Sequence, residues 1–395
     1  MNPNTRKMNI LYGLVQVAYW SGFCMAFIYA AVFLQDKGYS NTHLGFIMAA
    51  GNIIGLFLAP VLAALVDKAK RSGIFVYIGL LLAAELLLVL SFFGAKQGLY
   101  LSVAYSIHMG CILSVTPLNT QLCFVLESWC GKLNFGATRG AGSLAFALVS
   151  TFMGSIVFRF GTVSLLYGQL LVISLQVALL ICIYLLDKGH SGGSLFVQEK
   201  ESGSSLIGFF RDNPRFSVML LGVSMLFFAH NLLCNFFINV VSNLGGSTAD
   251  MGTVSGIMAF CELPPMLFYS LLSKKFSCNS MLRFSILMFI FKSFAVAFAG
   301  SIPALTAACT LQMISFALLT PASVEYVNRY IPAKDAAKGQ SLFFSTTSLG
   351  AIFATSLGGM MYDGMSVFST LLSGAFVCTA GALICMFCIE RRKRA

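Results

Sequence analysis

Glu262 and Lys292 are an acid and a base that each interrupt a long apolar run, and Glu85, Arg139 and His230 do the same. A carboxylate and an ammonium on consecutive antiparallel helices can pair. They can also bind a polar ligand, or exchange a proton whose affinity depends on the partner. A buried ion pair that only fixes helix packing is the alternative. His230, in Ala229-His230-Asn231, suits proton transfer near neutral pH, and equally a hydrogen bond that only joins helices. Glu85 has Leu81, Leu82, Leu88 and Val89 as helical neighbours, so its carboxyl has no obvious partner. Arg139 carries five donors in a fixed fork that fits hydroxyl pairs or a carboxylate, or it snorkels to an interface. Tyr19, Trp20 and Phe146 offer flat faces to a ligand, although such aromatics also serve as packing. His108 is a weaker candidate. Glu325 lies near a helix end, where a gate or loop network is expected.

The elements that must hold these groups follow from composition. Charged residues make up 10% of the 395, and hydrophobic residues 58%. An ordinary soluble protein carries about 25% charged residues. The composition excludes a soluble enzyme, a disordered chain and a secreted disulfide scaffold. It leaves a polytopic membrane protein with a lipid-facing surface. The net charge of +11 sits in short loops between apolar spans, so no nucleic-acid partner is expected. The twelve cysteines are dispersed, and Cys385 and Cys388, although spaced as CxxC, read as small apolar residues of a last helix. No metal site, cofactor or nucleotide-binding loop is expected. The first ten residues lack the pattern of a cleaved signal peptide.

Runs of about twenty apolar residues begin near Asn9, His43, Ile74, Leu99, Phe135, Val163, Phe216, Met251, Asn279, Pro303, Gln340 and Ser366. They are unbroken rather than alternating, so an all-α integral membrane fold of twelve transmembrane helices is expected. With the N-terminus inside, twenty Lys and Arg fall on the cytoplasmic side, and only Lys37, Lys96 and Arg159 outside. This positive-inside bias places both termini in the cytoplasm. The Gly- and Ser-containing stretch 187–215 reads as a cytoplasmic linker between a six-helix half, 1–186, and a second, 216–395, which ends in a basic tail. Asp67-Lys68 after the second span and Ser273-Lys274-Lys275 after the eighth are weak echoes of one another. At about 1.5 Å per residue, Glu262 and Lys292 fall near mid-bilayer. Pro264 and Pro265 are expected to break the eighth span locally.

Several of these segments resemble the lactose permease branch of the major facilitator superfamily, which includes the oligosaccharide:proton symporters and the related phenylpropionate and nucleoside permeases. Leu56-Phe57-Leu58-Ala59-Pro60 with Asp67-Lys68 resembles its second helix and following loop. Asn134-Phe135-Gly136-Ala137-Thr138-Arg139 resembles the fifth-helix motif whose arginine binds sugar hydroxyls. Cys261-Glu262-Leu263 resembles the eighth-helix motif whose glutamate binds sugar, and Lys292 stands at a ninth-helix arginine involved in proton coupling. The resemblance implies the superfamily's fold of two six-helix halves that rock about a central site. The chain also departs from the branch. Thr120 or Gln121 stands where a second sugar-binding glutamate is found. Phe316 and Leu319 replace the tenth-helix histidine and glutamate, His230 stands close to the position of a lost aspartate, and about Thr347 replaces a lysine.

The expectation is a secondary transporter of the inner cell membrane, a monomer and not an enzyme, that moves a sugar-like polar solute together with protons. Arg139, Glu262, Phe146, Gln121, Tyr19 and Trp20 are expected to bind the solute. Glu262, Lys292, His230 and Glu85 are expected to couple protons, and Asp67, Lys68 and Glu325 to belong to gates or loops. Permeases for aromatic carboxylates or nucleosides, an uncoupled facilitator and a drug exporter are the alternatives. A membrane sensor or enzyme is a remoter one.

Overall fold

The computed structural model describes residues 3–69, 72–93, 97–186 and 204–389. Among the described residues all regular structure is helical, and twelve stretches are long and apolar enough to cross a bilayer. These residues fall into two compact units. One lies within Met1–Gln198 and Ser247–Gly256, the other within Glu199–Gly246 and Ile257–Ala395.

The first unit contains α1 (Pro3–Ile28), α2 (Ala30–Asp36), α3 (Asn41–Ala69), α4 (Gly73–Phe93), α5 (Leu99–Cys130), α6 (Phe135–Phe160) and α7 (Val163–Leu186). In the second are α8 (Leu206–Asp212), α9 (Pro214–Asn235), α10 (Phe237–Asn243), the end of α11 (Thr248–Phe260), α12 (Leu263–Lys275), α13 (Cys278–Ala297), α14 (Ile302–Thr310), a 3-10 turn (Leu311–Met313), α15 (Phe316–Tyr330), α16 (Ala333–Gly364) and α17 (Val367–Cys388). The start of α11 belongs to the first unit, where the Ser150 hydroxyl donates to the Gly252 carbonyl at 3.3 Å.

The two units repeat one plan. In the first, α1 packs on α6 and α7, and α4 on α5 and α7. In the second, α9 packs on α16 and α17, and α13 on α15 and α17. The leading helix of each unit breaks near its end, at Tyr29 and at Phe236, and continues as a seven-residue helix. Each of these short helices is followed, one residue on, by a glycine with positive φ, Gly38 or Gly245. This repeat is far clearer in backbone geometry than in sequence, because only helix length, apolarity and turn chemistry are shared.

Apolar residues cover the outside of the helices. Phe57, Leu171 and Phe387 are among many that are exposed, as a bilayer-facing surface requires. Inside the second unit large side chains such as Phe209 and Phe289 are buried, and glycines let two helices approach closely. An added Cβ at Gly222 would lie 2.6 Å from the Gly381 carbonyl oxygen, and one at Gly381 would lie 2.6 Å from that of Gly222. Backbone cannot yield there, so α9 and α17 must separate if a side chain is added. Gly222→Val is expected to destabilise the protein by about 3 kcal/mol, read as a lowered thermal transition of the purified chain. An unchanged transition would show that the two helices do not need this contact.

The sequence places most helix starts closely, but the eleventh span begins at Ala333 rather than near Gln340. Its first turns carry Lys334, Asp335 and Lys338, which conceal a helix from a hydropathy reading. Asp335 is nonetheless buried, accepts from the Ser204 N–H and hydroxyl at 3.0 and 2.8 Å, and pairs with Lys338 at 3.2 Å. The stretch read as linker also contains a helix, α8, whose Phe209 is fully buried. Residues 187–203, Lys70, Arg71, Lys96 and 390–395 lie outside the described residues.

Candidate functional site

Each unit holds a polar cluster within its spans. In the first, Asn134 caps α6 by accepting from the Ala137 N–H at 3.1 Å, which sets Arg139 in the second turn. Gly142 leaves space for Trp20 of α1, because a Cβ there would meet the Trp20 ring and the Gln16 carbonyl. The half-buried Arg139 guanidinium lies 3.8 Å over the Trp20 ring and donates to the Ser143 hydroxyl at 2.6 Å. A cation over an indole face is attracted by the ring quadrupole, so Arg139 is held with its fork oriented rather than free to snorkel.

Behind Trp20 the polarity continues. Trp20 Nε1 donates to Gln16 Oε1 at 3.0 Å, and Asn119 Nδ2 donates to the same oxygen at 3.1 Å. Tyr77 donates to Asn119 Oδ1 at 3.2 Å and accepts from Gln176 Nε2 at 2.7 Å. Gln16, Tyr77, Asn119 and Gln176 are all buried. They join α1, α4, α5 and α7 in one network, and buried amides persist only when bonded in this way.

Glu262, Lys292 and His230 come together in the second unit, but through a residue not singled out from sequence. Pro264 lacks an N–H, and its ring clashes with a carbonyl four residues back. The eighth span accordingly breaks at Cys261 and Glu262, and α12 restarts at Leu263 with Pro264 and Pro265 in its first turn. The tenth span also breaks, into α14, the 3-10 turn and α15, and Gln312 sits in that turn. Gln312 Nε2 donates to Glu262 Oε1 at 2.8 Å, and Gln312 Oε1 accepts from Lys292 Nζ. Lys292 Nζ also lies 3.4 Å from His230 Nδ1. Lys292 is 3% exposed and Gln312 1%. The amide therefore bridges the pair expected from sequence, giving its donor to a carboxylate that only accepts and its acceptor to an ammonium that only donates.

The His230 ring stacks on Phe316 at 5.0 Å, so Phe316 serves as a platform for it. A cavity of about 20 Å³ beside Lys292, His230 and Ser293 has room for one water.

Other candidates lie elsewhere. Glu85 does have a partner, since Ser174 of α7 donates to it at 3.3 Å, but Leu82, Leu86 and Leu90 around it are exposed. It is not part of the network around Asn119. Tyr19 is buried, with its hydroxyl at Thr116 and the Ile112 carbonyl, which closes it to a ligand's hydroxyls. Phe146 is half-buried on α6, two turns beyond Arg139. Gln121 is half-buried on α5, and its Oε1 is shielded without a hydrogen-bond partner. The buried His108 meets the Ala84 carbonyl through Nδ1 at 2.8 Å. Glu325 accepts from Tyr269 at 2.6 Å, and Lys68 is exposed at the end of α3. The Asp67 side chain lies outside the described residues. Gln16, Asn119, Gln176 and Gln312 were not anticipated. Only a weak signal was available, as uncharged amides within apolar spans also cost free energy to bury, though far less than a charge.

The chain is similar to known transporters over nearly its whole length. A maltose permease of Geobacillus stearothermophilus is 24% identical over 375 residues, covering 92% of this chain and 90% of its own. An uncharacterized transporter, YwbF, of Bacillus subtilis (strain 168) is 22% identical over 377 residues, covering 91% and 88%. The crystal structure of the nucleoside transporter NupG superposes with a TM-score of 0.78 at 14% identity, covering 99% of this chain and all of that one (100%). The family described as the MFS_1 like family matches residues 10–372. The chain belongs to that family and is a multi-pass membrane transporter of the major facilitator superfamily.

Proposed function

We propose that the protein is a proton-coupled symporter of a small polar solute, a sugar or glycoside, working by alternating access in the inner cell membrane with both termini in the cytoplasm. The observation that carries this reading is the Glu262–Gln312–Lys292–His230 chain, because it joins two helix breaks to an acid that can be protonated. Broken helices with polar groups at mid-depth are where transporters hold solutes and coupling ions. Arg139 binds solute hydroxyls, and Phe146 offers a ring face. Glu262 accepts from the solute and exchanges the proton. The similarity to a maltose permease and the basic loops support the solute class and the orientation.

The chemistry of Gln312 links proton and solute. Ionised Glu262 accepts from the amide N–H, which leaves the amide oxygen for Lys292. A protonated Glu262 donates instead, and the amide satisfies it by turning over. Its N–H groups then face Lys292, which moves toward His230 and the adjoining cavity. Proton arrival thus alters what Glu262 can offer a solute, and by linkage the solute alters proton affinity.

The test is a panel of radiolabelled sugars, nucleosides and aromatic acids taken up by vesicles carrying the protein, with the external pH recorded. Sugar uptake with alkalinisation of the medium is expected. Competition by aromatic acids or nucleosides but not by sugars removes the solute assignment, and uptake without alkalinisation removes proton coupling. Arg139→Lys is expected to weaken solute binding about tenfold, since the charge remains but the stacked fork is lost. Thermal stability should hardly change. Wild-type affinity in that variant would take Arg139 out of the site.

A further inference from the structure

A groove in the second unit runs alongside both helix breaks. Pro265 and Leu272 of α12, Phe276 just after it, Met281 and Phe284 of α13 and Leu318 of α15 line it, and its volume is about 380 Å³. Phe276 is 55% exposed and Phe284 45%, so the groove opens outward rather than into the unit's core. Its deep end is at Pro265, Met313 and Ile314, beside the breaks that hold Glu262 and Gln312. Its shallow end is at Phe276 and Ser280. From Pro265 to Phe276 the helix rises about 16 Å, close to the about 15 Å of hydrocarbon in one leaflet.

The shallow end is charged. Lys274 and Lys275 lie in the last turn of α12, both exposed and immediately before Phe276. The Ser277 and Ser280 hydroxyls meet there at 2.9 Å, at the start of α13. An apolar trough one leaflet deep, with two ammonium groups and two hydroxyls at its mouth, complements a lipid with a negative headgroup.

We propose that this groove binds one anionic phospholipid, with an acyl chain lying from Phe276 to Met313 and the phosphate at Lys274 and Lys275. A polar solute finds almost no hydrogen-bonding group along the trough, and a peptide would leave its backbone unsatisfied there. A zwitterionic lipid also brings a phosphate, but its own quaternary ammonium offsets the negative charge that two lysines attract. The bound chain touches Pro265 and Met313, so it braces both broken helices in the arrangement that seats Glu262 and Gln312. This site does not depend on which solute is carried or on proton coupling.

The test uses the full chain with Phe284→Trp as a reporter, in vesicles of brominated-chain phosphatidylcholine, after subtracting the wild-type signal of Trp20 and Trp129. Unlabelled phosphatidylglycerol is then exchanged in, against unlabelled phosphatidylcholine as reference. Phosphatidylglycerol is expected to relieve quenching with a preference of about fivefold or more, the scale of a lysine at an anionic lipid surface. Lys274→Gln with Lys275→Gln should reduce the preference to about one. Lys274→Arg with Lys275→Arg should keep it, which separates charge from local structure. Equal relief by both lipids overturns the proposal, as does a preference that survives the double glutamine substitution.

Discussion

Glu262→Gln is expected to leave the protein folded in the membrane and unable to concentrate its solute. Glutamine preserves the length of the side chain and can still hydrogen-bond to Gln312, but it exchanges no proton. One proton moving through a membrane potential of about 100 mV supplies about 2.3 kcal/mol, which sustains about a 50-fold solute gradient. In the variant that gradient should fall to about one. Exchange of labelled for unlabelled solute across the membrane needs no net proton movement and should continue. The measurement is paired accumulation and exchange in the same vesicles. Wild-type accumulation by the variant would place proton coupling elsewhere in the chain. Loss of exchange as well, with an intact thermal transition, would show that a glutamine amide cannot replace the carboxylate in holding the solute, and would leave the proton role of Glu262 unsupported.

The sequence made the bilayer-scale architecture legible because the hydrocarbon imposes one rule on every span. Twelve apolar runs and a scarcity of charge are enough for that, whichever side chains fill them. Short-range chemistry also showed through, as at Pro264, where a missing N–H and a ring clash predict a break. The eleventh helix was harder to delimit, because Asp335 and Lys338 satisfy one another and Ser204 rather than ending the helix. The same limit applied to the site. Charged residues announce themselves inside apolar runs, so Arg139, Glu262 and Lys292 were visible from sequence position. Their supports were not, because Gln16, Asn119 and Gln312 gain meaning only from partners on other helices. Glu85 illustrates the converse, as its depth was legible, but not its position among exposed leucines, away from the network around Asn119.

Gln312→Leu should be the most damaging single change in the second unit, because it strands a charge. Lys292 is 3% exposed, and its ammonium would lose the amide oxygen while keeping only His230 Nδ1 at 3.4 Å. Glu262 would lose an amide donor at the same time. Leaving a buried charged group without its hydrogen-bond partner costs about 3 kcal/mol or more, which corresponds to a thermal transition lowered by about 10 °C for a unit of this size. Adding Lys292→Met removes the stranded ammonium. The double variant is expected to regain most of the lost stability, since an apolar replacement of a buried ionic group is often neutral or better. It should not regain proton-linked accumulation, because the amide and the ammonium that link Glu262 to His230 are both gone. A double variant as unstable as Gln312→Leu alone would mean that Gln312 supports packing rather than the charge. A double variant that accumulates solute normally would mean that the relay is structural, and that proton coupling does not pass through Lys292.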